Sequence, residues 1–313
     1  TMRIKPKALR PGDRIAIVAP GSAAPEEKLK RGADSLAKLG FEPVFGKTCF
    51  LKRGFMAGPD EARLADLHWA FSDPSIHGIV CLRGGNGSGR LLPGLDMGLI
   101  AANPKPFVGY SDITVFHTVF GQQGNFVTFH GPMATIEFSS KGEKGITRES
   151  FLKALTSTEP LGVLADASSG LTSLAGGKAR GEIVGGNLAL ICSTMGTPYE
   201  LDTRGKILFI EDINEQPYSV DRMLTHLRNA GKLSAAAAVV IGDFLNADPV
   251  SPGPEDSLTL DEVFEDHLPG LGIPVVRGLR CGHGKLNLTL PLGIQVEVDA
   301  NACRLTALEA ALS

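Results

Sequence analysis

The stretch Lys105-Pro-Phe-Val-Gly-Tyr-Ser-Asp-Ile-Thr114 sets a short apolar run, Phe107-Val108, just ahead of a serine. Residues 112–120 then carry apolar side chains at Ile113, Phe116, Val119 and Phe120, a spacing nearer to helical than to two-residue alternation. The stretch predicts a buried strand giving way to a helix, with Ser111 at the junction. A hydroxyl at such a junction can face a cleft, beside N–H groups that a helix start leaves unpaired. The same pattern also suits a plain helix cap at Ser111 or Asp112. A serine nucleophile therefore needs support from other parts of the chain.

Upstream, residues 14–19 read as a first buried strand and Pro20-Gly21-Ser22 as a turn. Residues 26–39 and 60–71 have helical spacing, and residues 41–45 and 76–82 have strand character. A short strand at 127–129 continues the alternation, which predicts an α/β fold with a parallel or mostly parallel sheet. The Gly- and Ser-rich residues 166–178 read as a linker. The expected division is an amino-terminal domain over 1–165 and a smaller mixed β/α domain over 179–313. In the latter, residues 218–230 and 260–268 are the helix candidates, and 273–276, 294–298 and 304–308 are late strands.

With 313 residues, 43% of them hydrophobic, the chain can build a sizeable core. A formal charge of -3 gives no reason to expect nucleic acid or an anionic membrane surface as a partner. The five cysteines, Cys49, Cys81, Cys192, Cys281 and Cys303, are widely spaced, which predicts free thiols rather than a disulfide scaffold or structural zinc. Residues 1–20 hold no extended apolar signal core and no run reaches membrane-spanning length. A cytoplasmic protein is expected.

His283 is the favoured base among seven histidines, because Gly282 and Gly284 allow a tight, exposed loop around it. His130, after a predicted strand, is the competitor, while His117 reads as a packing or surface residue. The acid that would orient the imidazole lies in Ile207-Leu-Phe-Ile-Glu-Asp-Ile-Asn-Glu-Gln-Pro-Tyr218, where either Glu215 or Glu211 can serve. Carboxylates also bind metals, but no matching ligand spacing accompanies these, and neither a metal nor a cofactor is expected. Arg83-Gly-Gly-Asn-Gly-Ser88 forms another candidate wall. The N–H groups of Gly85 and Asp112 make a two-donor oxyanion site, Arg83 suits a carboxylate, and Asn86 can hydrogen-bond substrate. Neither a dinucleotide fingerprint nor a complete phosphate loop occurs in this wall.

The chain resembles the LD-carboxypeptidase family of serine peptidases, which includes microcin-immunity peptidases. The resemblance spans nearly the whole chain. It rests on Arg14-Ile-Ala-Ile-Val-Ala-Pro20, Arg83 to Ser88, Gly109-Tyr-Ser-Asp112, Glu211 to Tyr218, and Gly282-His283 followed by Asn287-Leu-Thr-Leu-Pro-Leu-Gly293. It implies an amino-terminal flavodoxin-like domain, a smaller carboxyl-terminal swivelling β/α domain, and a homodimer. It also implies a Ser111–His283–Glu215 triad that releases terminal D-alanine from murein tetrapeptides through an acyl-enzyme. Asn86 stands where the family motif usually has tyrosine. The alternative substrate is a microcin-like peptide–nucleotide or acylated aminoacyl nucleotide. Relatives acting on those use an aromatic-rich loop, whereas Trp69 is the one tryptophan of this chain. A noncatalytic peptide-binding or scaffold role belongs to a different class and would be favoured by separation of these three residues or by a permanently blocked cleft.

Overall fold

The computed structural model describes residues 2–140, 145–249 and 254–313, which divide into two units. Unit 1 holds residues up to Glu159 together with Leu286–Gly293 and Ala310–Ser313, and unit 2 holds Pro160–Lys285 and Ile294–Glu309. The division falls ahead of the expected linker, so residues 166–178 belong wholly to unit 2. They include a strand that pairs within its sheet, and the small side chains that suggested a linker serve an edge strand and its turns. The carboxyl-terminal part is not one continuous domain either, because Leu286–Gly293 belongs to unit 1.

Unit 1 alternates β1 (Arg14–Val18), α1 (Glu26–Lys38), β2 (Glu42–Phe45), α2 (Asp60–Ser72), β3 (Gly78–Cys81), α3 (Met97–Ala102), β4 (Phe107–Gly109), α4 (Thr114–Gln122), β5 (Thr128–His130) and α5 (Gly145–Thr156). The first five strands are parallel in the order 2-1-3-4-5. Ile15, Ile17, Ile79, Val80, Phe107 and Val108 are all buried, as expected where helices cover both faces of a sheet. Phe116 and Phe120 of α4 stack on each other, and Phe107 meets both rings edge-on. The helical spacing after Ser111 thus reports the face that α4 buries.

Unit 2 contains β6 (Gly162–Ala165), β7 (Thr172–Ala175), β8 (Lys178–Asn187), α6 (Leu188–Ser193), β9 (Ile207–Ile213), α7 (Pro217–Asn229), α8 (Lys232–Ala235), β10 (Ala238–Leu245), α9 (Leu260–His267) and β11 (Val275–Arg277). β12 (Leu290–Leu292) follows, and it joins the sheet of unit 1 antiparallel to β5. As an edge strand it tolerates Pro291, which cannot donate to a ladder. β13 (Gln295–Asp299) and β14 (Arg304–Ala307) complete the eight-stranded sheet of unit 2. Strands β8 to β11 are parallel, and β6, β7, β13 and β14 add antiparallel pairings. Leu208, Ile210, Val220, Leu224, Val239 and Val263 form part of its core, beneath α7 and α9.

All five cysteines are free thiols. Among the described residues, no helix is long and apolar enough to cross a membrane.

Candidate active site

In unit 1 the strand order reverses between β1 and β3, and an open α/β sheet places ligands at the carboxyl ends of the strands around such a switch point. Pro20-Gly21-Ser22 follows β1, Arg83-Gly84-Gly85 follows β3, and Ser111 follows β4. Ser111 has φ 64, the left-handed region that a residue with a Cβ rarely occupies. Such a conformation persists only where its surroundings hold it. The sharp turn from β4 into the first turn of α4 is the geometry of a nucleophile elbow.

Several neighbours hold that turn. The Gly109 carbonyl receives the Gly131 N–H at 3.2 Å and lies 2.8 Å from His117 Nε2. The other ring nitrogen of His117 is 2.9 Å from Thr128 Oγ1. Burial holds His117 down to about 3, so the ring is neutral, with Nε2–H donating to the carbonyl and Nδ1 accepting from the threonine. Behind the serine, a Cβ built on Gly84 would stand 3.0 Å from Ser111 Cβ and 3.2 Å from both Ser111 Oγ and Asp112 N. Only glycine leaves that space to the hydroxyl and the N–H. Asp112 is buried and its carboxylate accepts from the Ser88 N–H at 2.9 Å. Burial raises its pKa, and the Ser88 contact opposes that shift.

Arg63, fully buried, donates to the carbonyls of Pro20 and Gly87 and pairs with Asp60 at 2.6 Å. It therefore joins the loops that follow β1 and β3. Gly85 and Asn86 are exposed in the second of these loops, and Asn86 N–H donates to Ser22 Oγ at 3.1 Å. Arg83 gives one donor to the Ala23 carbonyl at 3.3 Å. Ser111, Asp112, Arg83, Gly85 and Asn86, each singled out from sequence, thus all lie at or just beyond the ends of β3 and β4. His130 is fully buried with its ring 5.5 Å from that of Tyr110, which makes it packing behind the elbow rather than an exposed base.

Within unit 2, His283 and Glu211 form a pair. His283 Nδ1 lies 2.8 Å from Glu211 Oε2, with the imidazole 13% and the carboxylate 0% accessible. The sequence expectation gave this place to Glu215, and the structure corrects it. Glu211 sits near the end of β9, paired in register with Asn187 of β8, where the strand fixes its direction. The chain then turns at Asn214, φ 59, before Glu215 is reached. Among the described residues no hydrogen bond or ion pair joins Glu215 to His283. Gly282 has φ 128, and a Cβ there would come within 2.7 Å of Glu211 Oε2, so glycine admits the carboxylate beside His283.

Two further carboxylates surround this pair, and sequence reading missed one of them. Asp243, near the end of β10, accepts from the Gly284 N–H at 3.2 Å and so holds the histidine loop. Its pKa is pushed up to about 6, chiefly by burial, with the Glu211 charge adding and His283 and Arg280 opposing. Asp212 accepts from Asn187 Nδ2 and the Ala189 N–H, each at 2.9 Å, and burial raises it to about 6. No local motif marks Asp243; a lone acid late in an otherwise apolar strand is ordinary. Arg222 lies over the ring of Tyr218 at 5.7 Å on α7.

A strained serine at a strand–helix turn and an imidazole held by a buried carboxylate are the components of serine acyl-transfer chemistry. Residues 15–131 match the LD-carboxypeptidase N-terminal domain, and residues 180–298 match the LD-carboxypeptidase C-terminal domain. A probable murein peptide carboxypeptidase of Bacillus subtilis is 42% identical over 100% of this chain and 97% of its own. Among solved structures, the muramoyltetrapeptide carboxypeptidase from Oxalobacter formigenes superposes with a TM-score of 0.82, at 32% identity over 94% of this chain and 97% of its own. The Microcin C7 self immunity protein MccF, in complex with glutamyl sulfamoyl guanosine, gives 0.86 at 27% identity over 99% of both chains. The chain belongs to the LD-carboxypeptidase family. It is a serine carboxypeptidase.

Proposed function

We propose that the enzyme hydrolyses the amide bond between an L-centred diamino-acid residue and the terminal D-alanine of murein tetrapeptides, with Ser111, His283 and Glu211 as its catalytic residues. The left-handed backbone of Ser111 carries this reading, because it presents a hydroxyl and the Asp112 N–H at one turn. Glu211 accepts from Nδ1–H of His283 and leaves Nε2 as the basic atom. Nε2 takes the Ser111 proton as Oγ bonds to the carbonyl carbon, and the N–H groups of Gly85 and Asp112 receive the oxyanion. The same proton passes to the departing amine as the C–N bond breaks and D-alanine leaves. Water, deprotonated by His283, then attacks the acyl-serine and frees the tripeptide.

Arg83 has donors beyond the one given to Ala23, and its planar fork suits the terminal carboxylate of the peptide. Asn86, exposed beside Gly85, would bind the peptide by hydrogen bonds where an aromatic ring would pack. The strand order 2-1-3-4-5 supports a flavodoxin-like assignment for unit 1. Thiols that remain unpaired support a cytoplasmic location.

The test is product-resolved hydrolysis of a defined murein tetrapeptide by the intact enzyme and by Ser111→Ala. D-alanine and tripeptide from the intact enzyme alone are expected. Cleavage of glutamyl sulfamoyl guanosine but not of the tetrapeptide would move the substrate to the aminoacyl-nucleotide class.

A further inference from the structure

The residue before Ser111 is anchored through its side chain. Tyr110 is 2% accessible; its ring packs against His130, and its hydroxyl donates to Glu137 Oε1 at 2.8 Å. The same oxygen accepts from Asn287 Nδ2 at 3.0 Å, and Oε2 accepts from the Met133 N–H at 2.9 Å. Asn287 is 1% accessible and its own N–H points to Thr147 Oγ1 at 3.4 Å. It lies in Leu286–Gly293, the segment of unit 1 that begins three residues after His283. One carboxylate therefore holds both the residue that precedes Ser111 and the chain that leaves the histidine loop.

We propose that Glu137 is a positioning residue for acyl transfer: its carboxylate, bridging Tyr110 and Asn287, keeps Ser111 in its reactive backbone conformation. The inference rests on Ser111 being the nucleophile. The left-handed backbone of Ser111 is strained, and such a conformation persists only where surrounding contacts over-determine it. Gly109, on its amino-terminal side, is fixed by His117 and Gly131. Tyr110 is fixed through Glu137. Charge-assisted bonds to a carboxylate are shorter and about twice as strong as neutral ones, which suits an anchor of this kind. Glutamine is a poor replacement. An amide has one acceptor oxygen: with that oxygen toward Tyr110 and Asn287 its NH2 faces the Met133 N–H, a fixed donor, and turned round it can no longer accept from both Tyr110 and Asn287.

The experiment measures the rate at which a fluorophosphonate phosphonylates Ser111 in the intact chain, in Tyr110→Phe and in Glu137→Gln, alongside tetrapeptide kinetics and thermal midpoints. Tyr110→Phe removes one hydroxyl and is the variant that should fold without difficulty. Both variants should label Ser111 about ten- to a hundredfold more slowly, the order expected of a small misplacement of the reacting atom. On the tetrapeptide, kcat should fall while KM stays within about threefold, since uniform substrate binding is untouched. The double variant should be no slower than the worse single one, because both act through one contact. Labelling of both variants at the wild-type rate would overturn the proposal, even if their thermal midpoints fall. A wild-type Ser111 that resists the reagent would overturn both this inference and the nucleophile assignment. Normal labelling without D-alanine release would reject the substrate alone, and the variant rates would still decide the role of Glu137.

Discussion

Nδ1 of His283 lies 2.8 Å from Oε2 of Glu211, a carboxylate wholly shielded from solvent near the end of β9. A buried carboxylate in that position holds one imidazole tautomer and stabilises the imidazolium that forms during acyl transfer. The arrangement depends on a strand for direction and on Gly282 for room.

Glu211→Gln should therefore lower kcat by about 10²–10⁴-fold with KM little changed, the range for disabling the acid of such a triad. Glu215→Gln should remain within about threefold of wild type. Steady-state kinetics on the tetrapeptide distinguish the two. A larger loss at Glu215 would contradict the pairing.

Gly84→Ala tests the space behind the nucleophile. The added methyl group would stand 3.0 Å from Ser111 Cβ and 3.2 Å from the Asp112 nitrogen, so the elbow has to shift by a few tenths of an ångström. A displacement of that kind should reduce kcat by roughly 10–100-fold. The backbone at residue 84 needs no left-handed conformation, and circular dichroism should show the protein folded. Unchanged turnover would mean that the space behind Ser111 does not matter to the reaction.

Asp243 adds a second charge beside His283, and the Glu211 and Arg280 charges act on Asp243 itself. Above about pH 6 it is ionised and favours the imidazolium. Asp243→Asn removes that charge while keeping an oxygen for the Gly284 N–H, so the acid limb of kcat/KM should move to lower pH. The pH–rate profiles of the two proteins make the comparison. A limb that stays in place, or moves up, would show that the carboxylate acts only on the loop backbone.

His117 predicts an acid sensitivity of the fold. Its folded pKa, about 3, lies below the ordinary value of 6.5. Between those two values the unfolded chain binds a proton that the folded chain refuses. Its contribution to stability is therefore full above about pH 6.5 and is lost as pH falls towards 3. Asp212 and Asp243, raised to about 6, work the opposite way over about pH 4–6, so a variant must be compared with wild type at each pH. His117→Gln should melt lower than wild type at pH 7, and the gap should narrow by pH 4. A gap that widens on acidification would rule out the neutral buried imidazole.

The alternation of strand and helix in unit 1 was legible because each helix buries one stripe and each central strand is apolar throughout. Phe107-Val108 followed by Phe116 and Phe120 announced β4 and α4, and the position of Ser111 between them announced the elbow. Choosing between Glu211 and Glu215 was not possible from spacing alone. That choice depends on where β9 ends and on the turn at Asn214, and boundaries are decided by pairing with β8 rather than by local composition. The linker expectation failed for a related reason. Small residues at 166–178 suit an edge strand as well as a free connection, and only its pairing with β11 separates the two. Glu137 carried no signal at all, because its partners Tyr110 and Asn287 lie 27 and 150 residues away in sequence.

The central claim is that Ser111 becomes acylated by a peptide ending in D-alanine. The direct measurement is rapid acid quenching of the enzyme with murein tetrapeptide, followed by peptide-resolved mass spectrometry. A tripeptidyl adduct on the peptide containing Ser111, formed as D-alanine is released and absent in Ser111→Ala, is the predicted result. Release of D-alanine by Ser111→Ala at the wild-type rate would contradict the account.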